Sequence, residues 1–378
     1  MITALPLYKK IQEDIKLQIT SGQLREGDRI PSESELTQRY FVSSITAKNA
    51  LNGLVDEGII YRVKGKGSFV ASSPFAAPGE GASVPSHTIG AVFPTLSTRV
   101  EQVYLLHMTH FCRQRNSRLL IGCSNESPDL EISILRDLIQ CGIQGLILFP
   151  VVSENNNAAV RQLIAHKFPF VFMDRYLTDV PTSYVTADNK GGAMEAATYM
   201  FGSCKNDVAI VHFPLSNTAV SDRLDGFRQA FDDNGFDFSQ ANQCVIDDQA
   251  LLNTSNRKRV EYILEAILTH LRKYNSLRGL LAANSEIAQV AFYAVRQLGF
   301  TPSKDFELLS FDNPHLPGVH FVQQDFKTMN DQAMNLLFEQ IGGSFDLKHI
   351  QVPTKLVHVM TDPVSPEDVR HLVMGFNP

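Results

Sequence analysis

Two short runs constrain this chain more than anything else in it: SSITAKNAL at residues 43–51 and GKGSFV at 65–70. The first begins with Ser43, a good helix N-cap, and predicts a helix through Lys48 and Leu51 to about Glu57, where Gly58 ends it. The second is a glycine turn studded with lysine. Residues 59–63 and 68–71 read as two strands, and Lys64, Gly65, Lys66 and Gly67 close them into a hairpin. Upstream, Leu7, Ile11, Ile15 and Ile19 recur every four residues and draw an apolar stripe along a first helix, which Ser21 and Gly22 terminate. Leu24, Gly27, Asp28 and Ile30 form a short extended stretch before Pro31. Ser32 with Glu35 three residues later makes the S-x-x-E capping box of a second helix ending near Tyr40 and Phe41.

Three helices and a basic hairpin are the parts of a DNA grip. Residues at the start of the third helix can reach base edges in the major groove, and the hairpin tip is small enough for the minor groove. Lys64 and Lys66 suit phosphates, while Gly65 and Gly67 allow the backbone to come close. Periodicity alone also allows a helical hairpin with a solvated turn. The ordered motifs resolve the choice. PLYKKIQEDI, the G-x-L-x-x-G-D-x-I-P-S-E-x-E-L run at 22–36, the VS..T...AL frame at 42–51 and EGIIYRVKGKGSFV at 57–70 resemble the winged-helix head of the GntR family of bacterial transcription regulators. The resemblance implies that Ser32 and Glu33 begin the positioning helix. It puts Ser43, Ser44, Thr46 and Lys48 at groove-facing positions, and Lys66 with Gly67 at the wing tip. Where that family usually has arginine, this chain has Ser44 and Lys48. A bidentate Arg–guanine contact is worth about 1–3 kcal/mol of discrimination, so the expected operator departs from the family's common core. Arg39, Lys48, Arg62 and Lys64 are candidates for compensating phosphate contacts.

Charge is distributed to match. The 378 residues carry a formal −6, but residues 1–72 hold 10 Lys+Arg against 8 Asp+Glu, and the rest of the chain is acidic. Such a length suits two or three domains. No apolar run is long enough to span a bilayer. Lys9 and Lys10 interrupt the start where a signal peptide would be apolar, so a cytoplasmic protein is expected. The five cysteines, Cys112, Cys123, Cys141, Cys204 and Cys244, show no C-x-x-C spacing and read as reduced thiols. No metal site and no cofactor are expected; His107 and His110 share a helix face without a third ligand nearby in sequence.

Residues 71–88, ASSPFAAPGEGASVPSHT, carry almost no charge, show no hydrophobic period and read as a linker. The expected division is a winged helix-turn-helix at 1–72, a linker at 73–88, a two-lobed domain at 89–363 and a tail at 364–378. Candidate strands fall at 89–93, 119–124, 145–152, 170–174 and 184–188, and a second series at 208–213, 244–248, 279–284 and 307–312. Amphipathic segments at 130–140, 286–298 and 329–340 lie between or after them. The alternation predicts an α/β body of two doubly wound parallel-sheet lobes, with a ligand cleft outside the carboxyl ends of the strands. Asp174 and Arg175, Asn284 and Asp312 follow strands. Arg223 is read as opening a helix, and Gln324 lies in FVQQDF. Such a set suits a polyhydroxylated ligand, since carboxylates accept paired hydroxyls and arginine and amides donate in fixed geometry. Each residue alone has a plainer reading: strand-end Asp residues often cap the next helix, and Arg223 could be a surface ion pair.

As a set, with frames such as PFVFMDR, SDRLDGFRQAF and LLSFDN, they resemble the sensor body of the LacI/GalR repressors and the periplasmic ribose-binding proteins over about residues 88–363. That resemblance assigns Asp174, Arg175, Arg223, Asn284, Asp312 and Gln324 to effector contacts, with Phe93 the sole aromatic in its first-lobe loop. Ser285 stands where the family usually has aspartate. A GntR head on a LacI-type body resembles the architecture of the arabinose-repressor group. It implies a homodimeric repressor that binds operator DNA, involves no membrane, and is released by a monosaccharide. A nucleoside or sugar-phosphate effector, or a sugar acting as co-repressor or activator, remains the alternative. No G-x-S-x-G, Walker or G-x-G-x-x-G motif is present, and adjacent Asp247 and Asp248 on a strand would point apart, so no catalytic residue is expected.

Overall fold

The computed structural model describes residues 6–71, 86–151, 154–214, 217–247 and 256–359. Most of the expected linker, the tail at 364–378 and Asp248 lie outside the described residues. The chain divides into two units, Met1–Val84 and Pro85–Pro378.

In the first unit, α1 (Leu7–Thr20), β1 (Arg29–Ile30), α2 (Glu33–Tyr40), α3 (Ser44–Asp56), β2 (Ile60–Val63) and β3 (Gly67–Val70) follow one another. The strands form one antiparallel sheet in the order β1-β3-β2. Ile11 and Ile15 of the apolar stripe are buried with Leu36, Leu51, Leu54 and Ile60, whereas Leu7 is exposed because the core ends below the first turn. Helix α1 lies close on α3: Gln12 Nε2 donates to Ala50 O at 3.0 Å, and a Cβ on Gly53 would fall 2.1 Å from that nitrogen.

The second unit opens with β4 (His87–Phe93), α4 (Arg99–Gln114), β5 (Ser117–Cys123), α5 (Pro128–Gln140), β6 (Gly145–Leu148), α6 (Glu154–Ala165), β7 (Phe170–Met173) and β8 (Tyr184–Ala187). It continues with α7 (Asn189–Cys204), β9 (Val208–His212), α8 (Thr218–Asp233), β10 (Gln243–Val245), α9 (Asn256–Lys273), β11 (Gly279–Ala282), α10 (Ser285–Gln297), β12 (Glu307–Phe311) and β13 (His320–Gln323). Helix α11 (Phe326–Ile341), β14 (His349–Val352) and β15 (Lys355–Val357) complete it. Two six-stranded sheets result, ordered β14-β8-β7-β6-β4-β5 and β10-β9-β11-β12-β13-β15. The first is parallel throughout. The second is parallel except where β13 meets β15. Each is covered on both faces: α4 and α11 against α5 and α6 in one lobe, α9 and α10 against α7 and α8 in the other.

Both sheets therefore have the same doubly wound order, with the reversal at β4/β6 and at β9/β11. The chain crosses between lobes three times, after β8, after β13 and after β14. Asp188 and Asp325 cap the helices that begin the first two crossings, accepting from Gly191 N at 2.8 Å and Thr328 N at 2.9 Å. At the first crossing α7 and α8 touch through backbone, since a Cβ on Gly226 would lie 2.1 Å from Lys190 O.

Candidate functional site

The N-termini of α2 and α3 are built by their caps. Ser32 Oγ accepts from Glu35 N at 3.3 Å while Glu35 Oε2 accepts from Ser32 N at 2.6 Å, and this bonding lowers the Glu35 carboxyl below its usual range. Ser43 Oγ accepts from Thr46 N at 3.2 Å and lies 2.8 Å from the Thr46 hydroxyl. Ser43, Ser44 and Lys48 are exposed at the start of α3, with Thr46 half-buried. Ile45, absent from the sequence reading, is 72% exposed among them, an apolar side chain of the kind that meets a thymine methyl. Glu33 is held by Arg62 at 3.4 Å, so Arg62 is already partnered by a carboxylate. Arg39, Lys48, Lys64 and Lys66 are exposed and make no ion pair among the described residues. The wing turn closes by Lys66 N donating to Val63 O at 3.0 Å; Gly65 at φ 77 and Gly67 at φ 116 supply conformations that side chains rarely adopt.

In the second unit the carboxyl ends of β7 and β12 deliver Asp174 and Asp312 in matching fashion. Both are non-glycine residues in the left-handed region, φ 68 and φ 63. Each anchors this turn by donating its amide to a neighbouring strand end, Val185 O at 2.9 Å and Val322 O at 3.0 Å. The two lobes thus place an aspartate alike, in a backbone region that Asp and Asn enter more readily than most residues.

Arg223 does not open its helix. It lies in the second turn of α8, 6% exposed, where Nε donates to Asn189 Oδ1 at 2.8 Å and a terminal nitrogen donates to Ala283 O at 2.5 Å. Its guanidinium rests 4.0 Å from the Phe311 ring centre. Gln324 Nε2 donates to both oxygens of Asp312, at 2.9 and 3.0 Å. Burial pushes the Asp312 carboxyl up to about 6, against the pull of Arg223 and Gln324. Arg175 donates two bonds to Glu126, at 3.1 and 3.0 Å, and approaches Asp174 at 3.9 Å.

Two members of the sequence set stand differently. Asn284 accepts from Ile287 N at 2.9 Å as the N-cap of α10, so this face of its amide is occupied by the helix. Phe93 is 0% exposed and stacked on Phe149 at 4.7 Å within the first-lobe core, beside Tyr104. Asp247 also lies beyond β10, which ends at Val245, so strand alternation does not set its direction.

The sequence reading missed three members of the cluster. Asn189 positions Arg223. Glu101, in the first turn of α4 and 8% exposed, accepts from the Thr98 hydroxyl; burial raises its carboxyl, and the charges of Asp174 and Arg175 reach it. Tyr104 is wholly buried, and burial followed by the charges of Asp174 and Asp312 raises its hydroxyl. At the rim, Tyr176 N donates to Thr218 Oγ1 at 3.0 Å, its hydroxyl donates to Asp222 at 3.4 Å, and Arg99 donates to His315 Nε2 at 2.7 Å. These contacts bridge the lobes. A separate groove of about 590 Å³ between β10 and α9, lined by Val245, Tyr262, His270 and Lys273, contains none of the cluster. Among the described residues no group of His, Cys, Asp and Glu could hold a metal ion.

The comparisons agree with this fold. Residues 7–70 match the family described as "Bacterial regulatory proteins, gntR family", and residues 108–314, over half the chain, match "Periplasmic binding protein domain". An arabinose metabolism transcriptional repressor of Geobacillus stearothermophilus is 24% identical over 314 residues, 82% of each chain. A putative ribose operon repressor from Burkholderia thailandensis superposes with a TM-score of 0.62 at 21% identity, covering 72% of this chain and 99% of that one. A LacI family transcriptional regulator from Enterococcus faecium, solved with bound ribose, gives a TM-score of 0.60 at 17% identity over 74% of this chain and 100% of that one. These relatives are regulators and not enzymes. The chain belongs to the periplasmic binding protein domain family, and it carries that domain behind a winged-helix head of the bacterial gntR regulatory proteins.

Proposed function

We propose that this regulator represses transcription by holding operator DNA through the α3 start and the wing, and that a monosaccharide in the cleft of the second unit releases it. The observation that carries the reading is the paired placement of Asp174 and Asp312, one per lobe, in left-handed backbone with Arg223 between charged neighbours. Carboxylates and a fixed guanidinium offer acceptors and donors to several hydroxyls at once. The relatives' names, arabinose and ribose repressors among them, support a sugar. A phosphate-bearing effector fits less well, because Arg175 is already engaged by Glu126.

The working form is a homodimer on a two-fold operator, acting in the cytoplasm. The sheet edges support pairing: β5 and β10 are outer strands, and they expose Ile121 (44%) and Val245 (50%). No helix among the described residues is long and apolar enough to cross a membrane.

Operator titration with and without monosaccharides tests the reading, using wild type and Asp312→Ala. The wild type loses DNA affinity on adding the sugar, and the variant binds operator but ignores the sugar. Loss of a hydrogen bond to a charged group costs about 1.5–3 kcal/mol, or about ten- to a hundredfold in sugar affinity. Normal sugar binding by Asp312→Ala overturns the site. Tighter DNA binding with sugar reverses the sign of control.

A further inference from the structure

We propose that the ligand of the cleft carries an amino group beside its hydroxyls, and that Glu101 is the counter-ion of that group. The proposal rests on the cleft being the effector site and narrows the effector's class.

It follows from how the polar groups of the cluster are already used. Arg175 gives two bonds to Glu126 and approaches Asp174. Arg223 is fixed by Asn189, by Ala283 O and by the Phe311 ring, and its charge serves Asp312 and Asp174. Glu101 has the Thr98 hydroxyl and makes no ion pair among the described residues, although it is 8% exposed. Gln324, 4% exposed, donates Nε2 to Asp312 and leaves its buried Oε1 with no partner. Four carboxylates thus face two guanidiniums, and an unmet amide acceptor stands beside them.

A buried acceptor without a donor and a buried carboxylate without a cation are each costly, and both call for a ligand that donates and is positive. A phosphate or a sugar acid adds negative charge to an existing surplus. A neutral polyol supplies hydroxyl donors but leaves Glu101 uncompensated. An ammonium brings three donors and the missing charge. Burial raises both the Glu101 and the Asp312 carboxyls, and the pull of Arg175 on the one and of Arg223 on the other does not offset it.

The test is calorimetric titration of the full-length protein, wild type and Glu101→Gln, at pH 7. The ligands are glucose, galactose and mannose, their 2-amino-2-deoxy counterparts, the N-acetylated forms of these, and the 6-phosphates. In at least one matched pair the amine binds about ten- to a hundredfold more tightly than its parent, as one charge-assisted bond predicts. N-acetylation and Glu101→Gln each abolish that preference. A parent sugar or 6-phosphate that binds as tightly as its amine, with affinity unaltered by Glu101→Gln, overturns the inference while leaving the cleft reading intact. Binding of none of the series, nor of arabinose or ribose, overturns the sugar-cleft reading beneath it.

Discussion

Raising the pH should weaken the second unit through one residue, Glu131. It sits in the first turn of α5 with no exposed surface, and its Oε2 accepts from Val151 N at 2.9 Å. Burial pushes its carboxyl from 4.5 up to about 8; the Val151 bond and Arg175 pull it down, and Glu126 adds to the rise. Between those two values the folded chain keeps a proton that the unfolded chain gives up. Stability therefore falls as pH climbs through the window and levels off above about 8. At about 1.4 kcal/mol per pH unit, the displacement sets a ceiling of about 5 kcal/mol on the effect. Glu131→Gln keeps the shape and an acceptor for Val151 but cannot ionise. Urea unfolding of both proteins by circular dichroism, at steps from pH 5 to pH 9, isolates the residue, because every other titration is common to the two. The variant's advantage should grow with pH and reach a few kcal/mol at the alkaline end. Parallel profiles would mean that Glu131 is ionised in the folded protein and would refute the reasoning.

Three further outcomes are expected. Lys48→Ala and Lys66→Ala should each weaken binding to every DNA sequence and lower the salt slope by about one, read from operator titrations in increasing salt; Arg62→Ala should do less, since Glu33 already partners it. Ser32→Ala and Ser43→Ala should each cost about 1 kcal/mol of head stability, seen in thermal unfolding, through loss of the bonds to Glu35 N and Thr46 N. Gly226→Ala should destabilise the second unit by about 1–3 kcal/mol, because its Cβ meets the Lys190 carbonyl of α7 and only a backbone shift relieves that; an unchanged melting temperature would show that α7 and α8 part easily.

The regular parts of this architecture were legible because they are written in periodicity and caps. The Ser32–Glu35 box, the Ser43 cap and the Gly65 turn are local devices, and they appear where the sequence places them. The strand starts and ends in the second unit were legible to within a few residues as apolar runs. Strands β13, β14 and β15 were not, since HFVQ, HIQV and KLV are short and their pairing is set by distant chain. Helix α7 hides for another reason: it is buried on several sides, so NKGGAMEAATYMFGSC has no single apolar face. Among candidate-site residues, Asp174 and Asp312 stood out in the sequence because polar residues at strand ends are few. Glu101 could not, because an acid in the first turn of a helix has an ordinary explanation in the helix dipole. Asn284 shows the converse: the sequence reading placed it at the effector, and its bond to Ile287 N displays a helix cap as well.

The three crossings between lobes carry a mechanical consequence. Bodies tied by three adjacent tethers have little freedom except to swing about an axis through them, and points near an axis hardly travel. Asn189 and Gln324, which grip Arg223 and Asp312, adjoin two of those tethers. Both grips are made within one lobe, so a swing of the other lobe does not require either bond to break. The bridges Tyr176–Thr218 and Arg99–His315 join side chains across the mouth, where leverage is greater. Torque grows with distance from the pivot, so a weak bond at the mouth can govern the swing as much as a strong one beside the axis. Affinity and amplitude are then set by different residues, and each can be altered with little change in the other.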